Sequence, residues 1–251
     1  MPRLAVIILT KNEEANIEGA MESAAFADEI VIIDSGSTDR TRELAEKHGA
    51  KFISHPMDDE GFAGQRNFAL TQTEADWVFY LDADERVIPE RVGAIKAIVQ
   101  GNVKVAYCVE RINVVFGQMM SKGGHRPDYV CRLMPRENVR WRGVVHEGVD
   151  TELQIKQIKS CLYHYTYTTW EQYFCKFNRY TTLAAQEMAG KGREISSMSV
   201  VGHSLGAFIK NFLFKQGFRD GFLGFIMSFM SATYVLVKYL KLKNIYRRAG
   251  K

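Results

Sequence analysis

Apolar runs alternate with helical segments over the first hundred residues, and this alternation constrains the fold more than any other feature of the chain. The predicted strands are Leu4–Leu9, Glu29–Asp34, Lys51–His55 and Trp77–Leu81. The predicted helices lie at about 12–25, 40–48 and 61–72, and a fourth begins at Pro89. Asn12 is the predicted cap of the first helix. The order β-α-β-α-β-α-β predicts an α/β fold built on parallel strands with right-handed crossovers.

Polar residues stand at the ends of three of these strands. They are Thr10-Lys11-Asn12-Glu13, Asp34-Ser35-Gly36-Ser37 and Asp82-Ala83-Asp84. Because ligands of open parallel sheets bind beyond the carboxyl ends of the strands, we expect the three segments to lie along one crevice.

The carboxylates of Asp82 and Asp84 follow a buried strand directly. Neighbouring like charges repel each other, and they remain ionised most easily when a cation lies among them. A hard divalent ion such as Mg²⁺ or Mn²⁺ suits this spacing, since it is often held by one or two carboxylates together with substrate phosphates. The alternative is a solvated loop after the strand.

The second half of the chain changes character at Tyr167. Further strands are predicted at 104–116, 129–134 and within 153–163, and the glycine-rich segment Gly117–Asp128 is either an acceptor-side lid or a connection. Aromatic helices follow. The sequence therefore predicts two domains, residues 1–167 and residues 168–251.

The charge is unevenly distributed along the chain. Residues 200–251 carry nine Lys and Arg and one acidic residue, a net charge of +8, whereas the first 199 residues have a net charge of −4. An uncharged run of 17 residues lies between Asp220 and Lys238. It is short for a membrane span, so we expect helices in the membrane interface, with aromatic residues toward the acyl chains and basic residues at the headgroups. A packed dimer or core helix and a true span are the alternatives, and nucleic acid is not an expected partner.

The cysteines and the N-terminus indicate a compartment. The four cysteines are scattered, without a Cys-x-x-Cys pair, and we expect them to be packing residues in a reduced, cytosolic protein. Met1-Pro2-Arg3 leads directly into a strand, so no N-terminal signal is expected. An oligomeric state is not predicted.

Four motifs in order over about 85 residues resemble glycosyltransferase family 2. They are Val6-Ile7-Ile8-Leu9-Thr10-Lys11-Asn12-Glu13, Ile32-Ile33-Asp34-Ser35-Gly36-Ser37-Thr38-Asp39, Gly64-Gln65-Arg66-Asn67 and Leu81-Asp82-Ala83-Asp84. The later Trp141-Arg142-Gly143-Val144-Val145-His146-Glu147 and the C-terminal helices resemble the bacterial subgroup that adds glucose to the lipopolysaccharide inner core. The resemblance implies a GT-A fold, a Rossmann-like mixed sheet flanked by helices, for residues 1–167.

The resemblance also implies a nucleotide-sugar donor and a set of contacts. Thr10 and Glu13 would border the nucleotide, Asp34 would meet the base or ribose, and Arg66 the uracil. Asp82 would face the ribose and sugar, and Asp84 would hold the metal on the diphosphate. Many relatives have a second Asp where this chain has Ser35, which weakens the expected nucleotide contact there. Glu85 is expected to be only a helix-start residue, and a solvated helix position is the alternative for Arg66.

Glycosyl transfer to a hydroxyl requires charge stabilisation on the leaving diphosphate and a base for the acceptor. An inverting enzyme needs one acceptor-side carboxylate, by analogy with inverting hydrolases. Glu147 is the candidate base. His146 would contact the diphosphate or metal or orient Glu147, and His164 is either a core residue or a second diphosphate contact. Lys176 and Arg179 would meet a phosphorylated acceptor or lipid headgroups.

The sequence thus predicts an inverting, metal-dependent enzyme on the inner face of the cytoplasmic membrane. It would transfer a hexose, favoured to be glucose, from a UDP-sugar to a glycolipid, favoured to be the lipopolysaccharide inner core. One alternative is a polyprenyl-phosphate glycosyltransferase, whose anionic acceptor has less need of a base, so that activity surviving Glu147→Gln on a lipid phosphate would favour it. Another is a non-catalytic sugar-nucleotide-binding protein, which the paired Asp82 and Asp84 argue against.

Overall fold

The computed structural model describes residues 1–57, 61–137, 139–143 and 148–249, which divide into two compact units. Unit 1 comprises Met1–Ile112 and Asp128–His164, and unit 2 comprises Asn113–Pro127 and Tyr165–Lys251. The segment 113–127, which contains the end of β6 and all of β7, therefore belongs with the C-terminal helices. The division into domains at residue 167 remains a prediction.

Strands and helices alternate through the first hundred residues, as predicted. They are β1 (Leu4–Thr10), α1 (Ile17–Ala24), β2 (Glu29–Asp34), α2 (Thr41–Lys47), β3 (Lys51–Ser54), α3 (Gly61–Leu70), β4 (Trp77–Asp82), β5 (Glu85–Val87) and α4 (Pro89–Gly101). Strands dominate the middle of the chain, namely β6 (Ala106–Val115), β7 (Gln118–Met119), β8 (Tyr129–Pro135), β9 (Arg140–Arg142), β10 (Gly148–Asp150) and β11 (Ile155–Tyr167). The C-terminal helices are α5 (Trp170–Gly190), α6 (Ser197–Ile209) and α7 (Gly221–Arg248).

The main sheet is mixed, with the order β3-β2-β1-β4-β8-β6-β11-β5 and β7 paired to β6. The four strands β3, β2, β1 and β4 run parallel to one another, whereas β8 is antiparallel to both β4 and β6. The parallel half carries the helical crossovers, and the antiparallel half comes from the middle of the chain. This is the mixed sheet flanked by helices that the resemblance implied.

Alternate residues of β1 point to opposite faces of the sheet, and both faces are covered. Val6 and Ile8 join a cluster that includes Ile17 of α1 and Ile95 of α4. Ile7 and Leu9 join a second cluster on the other face, which includes Ala63 and Ala69 of α3. A continuous apolar strand is stable here because neither face meets water.

Two local predictions were wrong. The first helix begins at Ile17, and Asn12 lies in the left-handed region at φ 56° instead of capping it. The side-chain Oδ1 of Asn12 accepts from the backbone N–H of Thr38 at 2.8 Å, because the neighbouring loop competes for this side chain. Cys108 and Cys131, expected to be packing residues, form a disulfide, since the antiparallel register of β6 and β8 places them opposite each other.

Unit 2 contains the apolar tail. Residues 217–248 form a helical region that is long and apolar enough to cross a membrane. Only 17% of its most apolar 18-residue stretch is buried. A small cluster of Ala185, Val200, Tyr239 and Leu242 joins α5, α6 and α7. Many of the large apolar side chains of these helices are exposed, among them Phe174, Leu205, Phe214, Phe222 and Phe229. Such a surface is typical of a membrane or partner contact.

Candidate active site

The carboxyl ends of β1, β2 and β4 meet at one edge of the sheet. Thr10 is paired with Asp34 across β1 and β2, and Leu9 is paired with Asp82 across β1 and β4. The three polar segments predicted to share a crevice are therefore neighbours. The strand register alone places their side chains, and a longer loop is not needed to bring them together.

The loops after β1 and β2 are joined by side-chain hydrogen bonds. The N–H of Asn12 donates to Ser37 Oγ and the N–H of Glu13 donates to Thr41 Oγ1, each at 2.8 Å. The Asp34 carboxylate accepts from the N–H groups of Gly36 at 3.0 Å and Ser37 at 2.9 Å, and also from Ser37 Oγ. Asp34 therefore stabilises its own turn, and its expected contact with a base or ribose remains a prediction.

Two predicted nucleotide contacts at the first strand end differ in their surroundings. Thr10 is 5% exposed, and its hydroxyl has no hydrogen-bond partner within the described part of the chain. A buried unpaired hydroxyl costs free energy unless a ligand or water satisfies it. The expected contact of Thr10 with the nucleotide remains a prediction. Glu13 is half-buried, and its carboxylate accepts from Asn16 Nδ2 at 2.7 Å at the start of α1.

Asp82 lies between two buried arginines. Arg66 Nη2 is 3.0 Å from Asp82 Oδ1, and Arg132 Nη2 contacts Asp82 Oδ2. Burial alone would raise the pKa of Asp82, but the charges of Arg132 and Arg66 hold that pKa well below its ordinary value. Asp82 is therefore an anion that neutralises protein charge. Its side chain remains 32% exposed, so one edge of the carboxylate still faces outward.

Glu85 is not a helix-start residue, as the sequence suggested, but the centre of a buried ion-pair network. It lies in β5, is fully buried, and its Oε1 accepts from Arg132 Nη2 at 2.7 Å and from Arg111 Nη1 at 3.1 Å. Its Oε2 accepts from the N–H of Asp82 at 3.0 Å, which closes the turn. Arg111 also forms a bidentate pair with Asp128. Three acids and three arginines thus balance beneath the site.

Arg132 and Arg111 were not singled out from the sequence. Arg132 is 3% exposed within the otherwise apolar run Tyr129–Pro135. A charged residue in an apolar strand is rarely fully buried unless it is paired. The arginine within this apolar run therefore indicated a buried ion pair, and the sequence could have been read in that way. Burial alone would lower the pKa of Arg132, but Asp82 and Glu85 raise it above the ordinary value, and the guanidinium stays charged.

Asp84 lies at the tip of the turn between β4 and β5. His164 is paired with Glu85 across β5 and β11, and this register places His164 Nε2 3.6 Å from Asp84 Oδ2. The His164 side chain is 16% exposed and that of Asp84 is 24% exposed. His164 is therefore neither remote nor a plain core residue. A carboxylate and an imidazole at this separation are able to bind one cation between them.

Arg66 is not a solvated helix residue. It is 2% exposed on α3, and its guanidinium lies 4.8 Å from the ring of Trp141 and 5.3 Å from the ring of Tyr80. Asn67 accepts from the N–H of Trp141 at 2.8 Å and donates to its carbonyl oxygen at 3.0 Å. These contacts fix β9 against α3.

Chain segment 144–147, with the predicted His146 and Glu147, falls outside the described residues, between the paired strands β9 and β10.

The model of the family described as "Glycosyl transferase family 2" matches residues 5–145, more than half of the chain. The chain belongs to this family. It is therefore a glycosyltransferase, which confirms the prediction made from the four motifs. The matched region includes all the strand-end segments described above.

Relatives extend the similarity to nearly the whole glycosyltransferase. An uncharacterized glycosyltransferase of Rickettsia bellii is 28% identical over 97% of this chain and 87% of its own length. The lipopolysaccharide core biosynthesis glycosyltransferase LpsC of Rhizobium meliloti is 29% identical over 98% of this chain and 92% of its own. The matched region of these relatives therefore includes the C-terminal helices of this chain.

Solved structures match a smaller part. The glucosyl-3-phosphoglycerate synthase of Mycobacterium tuberculosis, in complex with Mn²⁺, UDP and phosphoglyceric acid, is 26% identical, with a TM-score of 0.38. The match covers 45% of this chain and 43% of that one, so this chain spans less than half of the solved structure.

Proposed function

We propose that this glycosyltransferase moves a hexose, favoured to be glucose, from a UDP-sugar to a membrane glycolipid, with the lipopolysaccharide inner core as the favoured acceptor. The observation that carries the proposal is that Asp84, at the tip of the β4–β5 turn, lies 3.6 Å from His164. The end of β1 at the same edge of the sheet holds the hydroxyl of Thr10, which has no partner among the described residues. LpsC of Rhizobium meliloti, named for lipopolysaccharide core biosynthesis, supports the acceptor.

The residues at the strand ends fit a divalent cation. Asp84 offers a hard oxygen ligand and His164 a nitrogen ligand, and the described residues contain no group of three acidic, His or Cys side chains that would complete a protein cage. Mg²⁺ and Mn²⁺ are commonly held by one or two carboxylates and by substrate phosphates, so the diphosphate would complete the coordination. When bound, the metal supplies positive charge beside the departing diphosphate.

The other residues of the site bind and orient the donor. Thr10 and Glu13 would border the nucleotide at the β1 end, and Asp34 holds the turn beside them. Arg66 would face the uracil from its position against the rings of Tyr80 and Trp141. Asp82, fixed by its arginines, would accept hydrogen bonds from the ribose or sugar with its exposed edge.

The acceptor side requires a base. Glu147 would remove the proton from the acceptor hydroxyl as its oxygen bonds to the anomeric carbon and the bond from that carbon to the diphosphate breaks. Inversion at the anomeric carbon follows from this single displacement. His146 would orient Glu147 or contact the diphosphate.

Assay of UDP release over a panel of UDP-sugars tests the proposal, with Mg²⁺ or Mn²⁺ and extracted lipopolysaccharide core as acceptor. We expect UDP-glucose to give the fastest acceptor-dependent release and chelation by EDTA to stop it. Equal release with and without acceptor would contradict transfer to this glycolipid, and full activity in EDTA would contradict the metal.

We propose further that the C-terminal helices hold the enzyme on the inner face of the cytoplasmic membrane. Truncation after about residue 195 removes α6 and α7 with their exposed apolar side chains, and we expect the shortened protein to lose vesicle binding. Flotation with anionic vesicles measures this, because bound protein rises with the lipid whereas aggregates sink. A truncated form that floats as the full chain does would show that the tail is not the membrane contact.

A further inference from the structure

A cavity of about 460 Å³ lies wholly within unit 2. We call it the basic pocket. Its lining comes from the loop before β8 and from the segment between α6 and α7, namely Lys122, Gly124, Arg126, Pro127, Phe214, Lys215 and Gln216. Three of these seven residues are cationic. None of them is part of the proposed donor site.

The two walls of the basic pocket are fixed to each other. The buried carboxylate of Asp220 accepts from the N–H of Lys122 at 2.8 Å and from the N–H and hydroxyl of Ser121 at 3.0 and 2.6 Å. The N–H of Gly123 donates to the carbonyl oxygen of Lys215 at 3.0 Å. The loop bearing Lys122 is therefore held beside Lys215 before any ligand binds.

Gly124 allows this approach. A Cβ atom at Gly124 would lie 2.9 Å from Lys215 Nζ, and the backbone there has a φ of +91°, which disfavours any other residue. The amine of Lys215 thus passes directly over the loop backbone. Backbone geometry and hydrogen bonds together bring Lys122 and Lys215 to the same cavity.

Two of the cations that line the basic pocket, Lys122 and Lys215, are not neutralised by a neighbouring carboxylate of the described residues. Within the described ranges, neither the Lys122 amine nor the Lys215 amine forms an ion pair with a carboxylate. The nearby Asp220 is 6% exposed, and backbone and hydroxyl donors occupy its oxygens. Unit 2 as a whole contains fifteen Lys and Arg against four Asp and Glu, a net charge of +11. The expected ligand is therefore an anion.

An apolar surface adjoins this charge. Phe214 lines the basic pocket and is 80% exposed, and Phe218 and Phe222 nearby in sequence are 50% and 79% exposed. A small soluble anion would leave these rings in water, whereas an anionic lipid covers them with its acyl chains. Arg and Lys side chains together recognise phosphate oxygens through charge-assisted hydrogen bonds.

We propose that the basic pocket binds the phosphate group of a membrane lipid, with Lys122, Arg126 and Lys215 on the phosphate and Phe214 against the acyl chains. The proposal goes beyond glycosyl transfer and requires no nucleotide sugar. It assigns to the loop at 122–127 a role in docking on the lipid surface.

Vesicle flotation of the full chain tests the proposal, in the absence of any UDP-sugar. The probes are phosphatidylcholine vesicles containing phosphatidic acid, and vesicles of matched charge containing a phosphate-free carboxylate lipid. The variant Lys122→Gln with Lys215→Gln is expected to bind the phosphatidic acid vesicles about tenfold more weakly than wild type, or weaker still. The charge-preserving variant Lys122→Arg with Lys215→Arg is expected to retain binding, which separates lost charge from misfolding.

The matched control is Lys191→Gln with Arg193→Gln, which removes the same charge from unit 2 outside the cavity. A loss equal to that of the pocket variant would show general attraction to the surface and overturn the proposal. So would an equal loss on the carboxylate vesicles, or release of wild type by millimolar inorganic phosphate, which would indicate a soluble ligand. Because no donor is present, these outcomes leave the proposed transfer reaction to its own assay.

Discussion

Asp84→Asn is expected to lower kcat/KM for UDP-glucose by about 100-fold or more, because a metal at a departing diphosphate supplies several kcal/mol of stabilisation. The amide keeps the size of the side chain but loses the charge that faces His164 at 3.6 Å. The UDP-release assay measures the loss. Titration with Mn²⁺ should show that more metal is needed for half-maximal activity.

The matched control for Asp84 is Glu90→Gln, an exposed carboxylate in the first turn of α4. We expect this variant to keep wild-type activity and metal dependence. His164→Gln should lie between the two, since one ligand of the proposed pair remains. An Asp84→Asn enzyme with wild-type activity and unchanged Mn²⁺ titration would remove Asp84 from the metal site.

Arg132→Met is expected to reduce the free energy of unfolding by about 3 kcal/mol, at the lower end of the cost of breaking a buried ion pair. The loss is moderated because Arg66 still faces Asp82 and Arg111 still faces Glu85. Even so, the three acids of the network would then face only two arginines. Urea denaturation of the full chain in mild detergent, followed by the fluorescence of buried Trp77 and Trp141, measures the change.

The pH dependence of the free energy of unfolding provides an independent check on this ion-pair network. The pKa of Asp82 is lowered in the folded protein, so its contribution to stability is present above its ordinary pKa of about 4 and is lost as the pH falls below that value. The difference between wild type and Arg132→Met should therefore shrink on acidification. Arg40→Met, which removes an exposed arginine paired only with Glu43, should leave the unfolding midpoint nearly unchanged. A pH-independent difference, or a variant as stable as wild type, would contradict the role of the network.

The parallel half of the fold was predictable because its signals are local. Apolar runs such as Leu4–Leu9 specify strands buried on both faces, and the right-handed crossover rule then places their ends at one edge. Thr10, Asp34 and Asp82 could be assigned to one site on that basis alone, and the register confirms that they are neighbours. Membership of glycosyltransferase family 2 was equally predictable, because four short motifs indicate it.

The charge network beneath the site was not predictable in the same way. Arg132 reaches Asp82 across 50 residues, and β5 is only three residues long, too short to produce a recognisable pattern. Glu85 was expected from the sequence to be only a helix-start residue. Only the packing of the antiparallel strands showed that it is buried and paired.

The sequence by itself determined the order of strands and helices, the carboxylates at the strand ends and the basic, apolar tail. Each of these follows from periodicity or composition over a few residues. The tertiary structure alone decided that His164 faces Asp84, that Arg66 is buried against two aromatic rings, and that Lys122 and Lys215 line one cavity. The physical reason is that such contacts depend on strand register and loop packing between residues far apart in the chain, which local patterns do not encode.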